Sequence, residues 1–316
     1  MPLLQELKIS GDIMSKKALI SSIQNYSTKD GPGIRTTVFF TGCNLKCVWC
    51  SNPELIEPGI KVMYFENKCR RCGKCVETAE NNSIILTESG CEIDREKCTN
   101  IEECMEVCPY EAYEKSGCEI SVQDLYNKLI RDKIFFEQSG GGVTFSGGEA
   151  GLQHEFLSEI GAVLQKDNIH TALDTAGLIA WEKLEKAINN MDMVLFDIKA
   201  YDSKLHKKYT GAGNKLILEN IKKTAAKNKE LIIRMVIVPG MNDDMEDIKK
   251  RISFIKELGS AVKQIDILKY HNLGEGKYKS LGMIYSVPKD LHREEDFWKK
   301  VKEMAEETGV KVTIDG

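Results

Sequence analysis

Three cysteines near the start of the chain are the first residues whose types and spacing predict chemistry. Cys43, Cys47 and Cys50 stand in TGCNLKCVWCSNPE with C-x3-C-x2-C spacing. Three thiolates from one short loop can hold a four-iron cluster and leave one iron without a protein ligand, as in a catalytic metal site. The amino and carboxylate groups of S-adenosylmethionine (SAM) can chelate that iron, so the spacing predicts a SAM-binding cluster. A structural zinc site, or an electron-transfer site with its fourth ligand elsewhere, is the alternative.

A second group of eight cysteines lies between Cys69 and Cys118, and none follows it. The run Cys69, Cys72 and Cys75 and the Cys108 of a Cys-Pro pair fit one complete [4Fe-4S] cluster of a bacterial-type ferredoxin. The pentapeptide SGCEI recurs at residues 89–93 and 116–120. This internal repeat predicts two similar halves, as in a ferredoxin module.

A second cluster in this segment is a separate hypothesis. A complete ferredoxin repeat would need cysteines where the chain has Ala79 and Ile101. The SGCEI segments add two cysteines that can replace the missing ligands. The predicted second set is Cys91, Cys98, Cys104 and Cys118. The alternative is a single cluster with four spare thiols, so the segment is expected to hold one or two clusters.

Composition limits the class of protein. The chain has 316 residues, of which 42% are hydrophobic, enough for one barrel-sized domain and a smaller insert. A formal charge of −4 without a long basic run argues against nucleic-acid binding. Residues 1–17 read as a polar lead-in, with Met14 as an alternative start, and no apolar stretch predicts a membrane span. Eleven cysteines without an export signal favour metal binding in a reducing cytoplasm.

Helical and extended patterns alternate through most of the remaining chain. The predicted strands are RTTVFFTG, GGVTFSGG, IHTALDT, DMVLFDIK, ELIIRMVIVPG and AVKQIDILKYH, and VKVTIDG is a candidate last strand. Repeated β–α alternation predicts a parallel sheet. We therefore predict an α/β fold, a partial (β/α)6 TIM-like barrel over residues 18–65 and 121–316. An α+β ferredoxin-like domain is predicted to interrupt it at residues 66–120.

Polar residues follow the predicted strands where each one ends. They are Cys43, Glu149, Asp174, Asp197 with Lys199, Arg234 and His271. In (β/α) barrels the carboxyl ends of the strands form the rim where chemistry takes place. Taken alone, Asp174, Asp197 and Lys199 are equally compatible with a surface ion pair or a helix N-cap, and a lone histidine is more often structural. As an ordered set, they predict a ligand site at the barrel mouth.

Taken in order, the motifs resemble those of the glycyl-radical-enzyme activating enzymes, a branch of the radical SAM superfamily. The resemblance rests on DGPGIRTTVFFTGCNLKCVWCSNPE, GGGVTFSGGEAGLQ, ALDTAG, VLFDIKAYD, IRMVIVPGMND and LKYHNLGEGKY, and spans nearly the whole chain. It implies a radical SAM barrel in which a reduced cluster cleaves SAM to methionine and a 5′-deoxyadenosyl radical. That radical removes hydrogen from a backbone glycine of a large partner, the glycyl radical enzyme.

The resemblance also implies which residues bind SAM. They are Trp49, Cys50 and Ser51, Gly148 and Glu149, Asp174, Asp197, Ile198 and Lys199, and Arg234 and His271. Gly148 and Glu149 are expected beside the methionine part of SAM, and Lys199 on its carboxylate. The two aspartates are expected to hold the ribose, the amino group or a bound monovalent cation. Trp49 to Ser51 are expected beside the adenine, and His271 near the nucleoside.

The implied partners are a glycyl radical enzyme and an external one-electron donor such as flavodoxin or ferredoxin, with the chain expected to be a monomer by itself. Asp30 and Arg35 in DGPGIR are expected to contact the partner's glycine segment, or to form a turn and an ion pair. Cys91 and Cys118 favour an arylacetate decarboxylase as the enzyme activated. The alternatives are a radical SAM enzyme for a small molecule or another peptide, and a ferredoxin-type electron carrier.

Overall fold

A computed structural model describes residues 16–315. Most of the predicted lead-in, including Met14, lies outside the described residues, and the first strand begins at Lys17. The described strands are β1 Lys17–Ser27, β2 Arg35–Phe40, β3 Lys61–Tyr64, β4 Ile84–Leu86, β5 Cys91–Ile93, β6 Tyr113–Ser116, β7 Cys118–Ser121, β8 Gly142–Gly147, β9 His170–Thr175, β10 Met193–Asp197, β11 Glu230–Ile237, β12 Val262–Lys269 and β13 Lys311–Ile314. The α-helices are α1 Lys74–Thr78, α2 Ile101–Glu106, α3 Val122–Leu129, α4 Lys133–Ser139, α5 His154–Lys166, α6 Trp181–Ile188, α7 Ser203–Thr210, α8 Lys215–Ala226, α9 Met245–Glu257, α10 Glu275–Ser280 and α11 Glu295–Glu306.

One large sheet carries most of the fold. Within residues 16–315 it has nine strands, in the order β13-β12-β11-β10-β9-β8-β2-β1-β7. Strands β2 and β8 to β13 run parallel, and β1 pairs antiparallel with both β2 and β7. The six strands predicted from the sequence are β2 and β8 to β12, and the candidate last strand is β13. The prediction of an α/β fold with a partial (β/α)6 barrel is therefore confirmed.

Helices return the chain between parallel strands and bury one apolar face each. In α5, Leu157, Ile160 and Leu164 follow helical spacing and are fully buried against the sheet. Burial of each such side chain contributes about 1.5–3 kcal/mol to folding. No helix in residues 16–315 is long and apolar enough to cross a membrane. The helices thus cover the outside of the barrel and leave its strand ends open.

The sheet does not close on itself through strand pairing, because β7 and β13 are its edges within the described chain. Across the opening, Lys29 in the β1–β2 loop donates a 2.8 Å hydrogen bond to the carbonyl oxygen of Asp315, just after β13. This contact joins the two sides of the partial barrel at its carboxyl rim. Lys29 and Asp315 therefore line a cavity at this opening.

A small unit is inserted between β2 and the remaining parallel strands. It contains the two-stranded sheets β3–β6 and β4–β5 and helices α1 and α2. The sequence placed its limits at residues 66 and 120, whereas β3 pairs with β6 from Lys61↔Ser116 to Tyr64↔Tyr113, and β7 belongs to the large sheet. The difference arises because Val62 and Tyr113 pack in the small unit's own core, whereas Ile120 packs in the barrel core. We call residues 61–116 the insert.

Candidate active site

The strand ends enclose a cavity of about 720 Å³ at the carboxyl edge of the sheet. Predicted site residues that line it are Asp30, Cys43, Cys47, Trp49, Cys50, Ser51, Gly148, Asp174, Asp197, Lys199, Arg234 and His271. They come from loops and strands far apart in the chain. The parallel sheet therefore brings together most of the residues that the sequence singled out.

Backbone hydrogen bonds hold the three-cysteine loop over this cavity. Cys43 N donates to Ile56 O at 2.8 Å, and Cys50 N donates to Cys47 O at 3.0 Å. Burial raises the pKa of Cys43 and of Cys47 to about 11, and raises the pKa of Cys50 as well. The free thiols are therefore protonated near neutral pH, and metal binding must release their protons. Three such thiols around one cavity fit the ligand set of a site-open iron–sulfur cluster.

Two glycines let the loop after β8 approach the cysteine loop. A Cβ added to Gly148 would lie 2.5 Å from Gly42 O and 2.6 Å from Leu55 O. At Gly147, where φ is +114°, it would lie 2.3 Å from the backbone nitrogen of Phe40. Neither position can hold a side chain without moving the backbone that leads into Cys43. The glycines of SGGEA therefore fit a wall against which a ligand can lie.

A chain of charged and polar side chains crosses the cavity floor. Arg234 on β11 donates to Asp174 on β9 at 2.6 Å and to Asp197 on β10 at 3.2 Å. Ser146 on β8 donates to the other oxygen of Asp174 at 2.6 Å, and Lys199 donates to Asp197 at 2.9 Å. Two cations balance two carboxylates at 10–15% side-chain exposure. The geometry holds each group in one orientation toward the cavity.

The charge states follow from this pairing. Burial by itself would raise the pKa of Asp197, but Lys199 and Arg234 bring it down to about 2. Burial raises the pKa of Asp174, and Arg234 opposes that rise. Burial by itself would lower the pKa of Lys199, but the attraction and hydrogen bond of Asp197, together with Cys47, raise it above its usual value. Asp197 and Lys199 are thus both charged near neutral pH.

Three predicted site residues do not reach the cavity. Glu149 is fully buried, and its carboxylate accepts hydrogen bonds from Thr175 Oγ1 at 2.7 Å and from the backbone amide of Ala176 at 3.0 Å. Burial raises the pKa of Glu149 to about 7. Ile198 is buried, and its amide donates to Arg234 O at 2.9 Å. These side chains brace the loops around the site instead of lining it.

Arg35 is the third predicted residue that does not line the cavity. It is fully buried near the start of β2, where it donates to Thr144 Oγ1 at 2.6 Å and to Val143 O at 2.7 Å. The side chain is therefore not exposed to a partner, nor does it donate to Asp30. Asp30 itself lines the cavity and accepts a hydrogen bond from Thr37 Oγ1 at 2.7 Å. Of Asp30 and Arg35, only Asp30 reaches the cavity, so only Asp30 is placed where it could contact the partner's glycine segment.

Supporting residues escaped the sequence prediction. Asn242 donates to Lys199 O and to Val236 O, both at 2.7 Å, so it holds the loop after β10 against β11. Lys277 on α10 donates to Asn52 Oδ1 at 2.7 Å and to Glu54 Oε1 at 2.6 Å, which fixes the segment just after Cys50. Both residues lie in motifs that carried the family resemblance, PGMND and LGEGKY. Their presence in those motifs was the available signal, but no local pattern indicates which loop they hold.

The insert brings four predicted ligands together. Cys69, Cys72, Cys75 and Cys108 line one small pocket. The structure adds a fifth thiol, because Cys91 lines the same pocket and its sulfur lies 3.6 Å from that of Cys75. Four cysteines around one pocket fit the donor set of a [4Fe-4S] cluster. The fifth, Cys91, lines the same pocket beside Cys75.

Of the predicted second set, Cys91, Cys98 and Cys104 pack in the core of the insert, whereas Cys118 does not. Cys91 lies beside Cys75. Cys104 is buried, and this burial, together with the nearby Cys98, raises the pKa of Cys104 to about 11. Cys118 is exposed on β7, where it pairs with Ile20 of the large sheet. Among the described residues, no hydrogen bond links its thiol to another cysteine. The structure thus separates Cys118 from the other three, because β7 joins the barrel.

Comparisons with known proteins agree with this architecture. Residues 98–252 match a family model described as the radical SAM superfamily, and residues 68–112 match one described as a 4Fe-4S dicluster domain. The crystal structure of Streptococcus suis SuiB bound to precursor peptide SuiA shares the fold, with a TM-score of 0.51 and 11% identity over 87% of this chain and 46% of that chain. Fold and site therefore define a radical SAM protein.

Relatives narrow the class. The chain is 36% identical over 298 residues to the (2S)-3-sulfopropanediol dehydratase activating enzyme of Klebsiella oxytoca, covering 92% of this chain and 94% of the relative. It is 38% identical over 280 residues to the 4-hydroxyphenylacetate decarboxylase activating enzyme of Clostridioides difficile (strain 630), covering 85% and 87%. The chain belongs to the glycyl-radical-enzyme activating enzymes. The predictions of an enzyme and of SAM and [4Fe-4S] clusters as its cofactors are thereby confirmed.

Proposed function

We propose that the 720 Å³ cavity is where this chain binds SAM beside an iron–sulfur cluster in order to place a radical on a backbone glycine of a partner enzyme. The observation that carries the proposal is the shared cavity of Cys43, Cys47 and Cys50 with the Asp174–Arg234–Asp197–Lys199 chain. When bound, the cluster supplies the electron that cleaves SAM to methionine and a 5′-deoxyadenosyl radical.

The charged floor positions SAM. Lys199 has three N–H donors and uses one on Asp197, so two are available for the methionine carboxylate. Asp174 and Asp197 each keep lone pairs that can accept from the ribose hydroxyls or the amino group. Because these side chains are already hydrogen bonded to each other, little conformational entropy is lost when the ligand binds. Holding the reacting atoms in line is the protein's main contribution to the reaction.

Apolar residues complete the wall of the cavity. Phe39, Leu45, Ile56, Val236 and Leu268 line it together with the polar floor. A carbon radical needs neither an acid nor a base, but it must be kept from other hydrogen donors. These side chains keep water out of one side of the cavity. No acid–base residue is required in this proposal.

The insert is proposed to pass electrons toward the barrel. Tyr64 and Cys91 line both the small cysteine pocket and a separate cleft of about 1200 Å³ whose other wall includes Lys277 of α10. Arg95 of the insert donates to Ser280 O at the end of α10 at 2.9 Å. Lys277, in turn, contacts the segment after Cys50. These contacts support a rigid link between the two cluster sites.

Anaerobic reconstitution with iron and sulfide tests the function. With SAM and dithionite, we expect methionine and 5′-deoxyadenosine to form, and a glycyl radical signal to appear by electron paramagnetic resonance when the partner is added. Cys47→Ser should abolish both products, whereas the matched variant Cys118→Ser, which alters an exposed thiol, should retain them. Products from Cys47→Ser at the wild-type rate would refute the proposed site.

The partner proposed is a glycyl radical enzyme, and the more specific assignment to an arylacetate decarboxylase rests on the notable positions of Cys91 and Cys118. Relatives named for three other enzymes are 36% identical to this chain, and the decarboxylase relative is 38% identical. Sequence identity therefore does not select the partner, and a direct assay is needed. Activation of a panel of glycyl radical enzymes by the reconstituted chain would decide it. We further propose that the chain works as a cytoplasmic monomer with an external one-electron donor, a state that sedimentation of the reconstituted protein would test.

A further inference from the structure

The loop that carries the first insert cysteines has a strongly basic surface. In CRRCGKC, Arg70, Arg71 and Lys74 are all exposed, and they surround Cys72, which is exposed as well. We call these three cations and Cys72 the basic face. The rest of the insert is acidic, with Glu102, Glu103 and Glu106 exposed on α2. The three cations therefore lie in the loop that carries the first pocket cysteines, and Arg70 lines the pocket itself.

The three cations have no partner of opposite charge in the described part of the chain. Several exposed lysines on the barrel form ion pairs, as Lys186 does with Glu155 at 3.2 Å. The nearest carboxylates in sequence are Glu66, which pairs with Lys279 at 2.5 Å, and Glu77, which is exposed and forms no ion pair with a described residue. A group of unpaired cations attracts a negatively charged protein surface and repels a positively charged one.

The basic face also lies where an electron would enter. Arg70, Cys72 and the half-exposed Tyr110 line the cysteine pocket, but none of them lines the cleft that faces α10. Tyr64 and Cys91 line both spaces. The pocket therefore has one side toward solvent and another toward the barrel. A carrier that docks on the solvent side does not block the path toward Cys50.

We infer that the basic face is the docking surface for an acidic one-electron carrier protein. Cys69, Cys72, Cys75 and Cys108 would hold the cluster that accepts one electron, and the carrier would be oxidised by that one electron. The inference rests on the proposed function only in treating the insert as the entry point for electrons. The same cations could instead stabilise the negative charge of the cluster itself. In that case their replacement would cause a loss of iron and no loss of carrier binding.

Binding of oxidised flavodoxin and of a two-cluster ferredoxin, both of strongly negative net charge, to the reconstituted chain tests the inference directly. We expect at least one to bind, with an affinity that falls as salt rises, since the exposed charges are screened. Reversal of all three cations, Arg70→Glu with Arg71→Glu and Lys74→Glu, should weaken binding about tenfold or more. The milder Arg70→Gln, Arg71→Gln, Lys74→Gln variant should weaken it less and serves if the reversed variant loses iron.

A matched control separates local from global charge. Lys250, Lys256 and Lys300 are exposed on the outer helices α9 and α11 and form no ion pair with a described residue. Their combined reversal to glutamate changes the net charge equally and should leave carrier binding unaltered. Failure of both carriers to bind wild type, or equal binding by wild type and the reversed basic face, would overturn the inference. Loss of glycyl radical enzyme binding with carrier binding intact would also overturn it and assign the face to the other partner.

Failure of this inference is distinguishable from failure of the proposed function. SAM cleavage by the wild-type chain with dithionite needs no carrier. If that reaction occurs and carrier binding does not respond to the basic face, only the docking surface is wrong. If dithionite and SAM give no 5′-deoxyadenosine while the carrier binds as expected, the docking surface stands and the proposed function is wrong.

Discussion

Arg234 donates a 2.6 Å hydrogen bond to Asp174, although the two residues stand on strands separated by β10. The guanidinium reaches past Asp197, to which it also donates, and so ties three neighbouring strands together at the rim. This contact orients both carboxylates before any ligand binds. The floor of the cavity is therefore preorganised by one side chain.

Replacement of Arg234 should weaken both folding and ligand binding. Arg234→Ala leaves Asp174 buried without its cation, and we expect the free energy of unfolding to fall by about 3–5 kcal/mol. Denaturant titration of the metal-free protein measures this, and calorimetry of the reconstituted protein should show weaker SAM binding. Arg131→Ala, at an exposed position, is the control. Equal stability of the two variants would contradict the role assigned to Arg234.

Glu149 should give stability a distinct pH dependence. Its pKa is raised to about 7 by burial, so the folded chain takes up a proton that the unfolded chain, with the usual glutamate pKa, does not hold. The contribution of Glu149 to the free energy of unfolding is fully present at low pH and is lost as pH rises through 7. The free energy of unfolding of wild type relative to Glu149→Gln should therefore increase as pH falls from about 8 to about 5. A difference that is constant over that range would show that Glu149 stays ionised.

The two loops that meet at Gly148 leave no space for a side chain. Gly148→Ala places a methyl group 2.5 Å from Gly42 O, so the backbone before Cys43 must move. We expect impaired cluster assembly at the first site and weaker SAM binding, measured by iron content and calorimetry. Gly276→Ala is the matched control, since an added Cβ there meets nothing within 4 Å. Full iron content and SAM affinity in Gly148→Ala would argue against close packing of these loops.

Lys277 should stabilise the first cluster from a distance. Glu54 is 6% exposed, and Lys277 is its salt-bridge partner at 2.6 Å. Lys277→Met removes that partner and frees the segment after Cys50, so visible absorbance of the cluster should decay faster in the presence of a chelator. Lys279→Met, which removes an exposed ion pair with Glu66, should decay like wild type. Identical decay of both variants would exclude a supporting role for Lys277.

Iron content should distinguish the thiols of the insert. Because Cys118 is exposed on the large sheet, Cys118→Ser is expected to retain all the iron of the wild type. Cys75→Ser should lose about four irons per chain, the content of one cluster. A loss of about four irons from Cys118→Ser would restore the set of Cys91, Cys98, Cys104 and Cys118 predicted from the sequence. Iron analysis after anaerobic reconstitution measures both variants.

Local patterns in the sequence were sufficient for several features. Cluster ligands from one short loop, such as Cys43, Cys47 and Cys50, are close in space because they are close in the chain. The parallel strands also follow from local alternation, and their carboxyl ends must meet at one edge. For this reason, the cavity contains most of the residues predicted for it.

Tertiary structure alone decided which way the remaining side chains point and which distant segments meet. Glu149 and Arg35 belong to recognisable motifs, yet both side chains are buried. Each is hydrogen bonded to a neighbouring strand, Glu149 to Thr175 and Arg35 to Thr144. Cys118 follows the same SGCEI pattern as Cys91, but the pairing of β7 with β1 carries it into the barrel sheet. Lys277 reaches Glu54 across more than two hundred residues of sequence. Strand register and long-range packing determine such contacts, and neither is encoded in the spacing of a single motif.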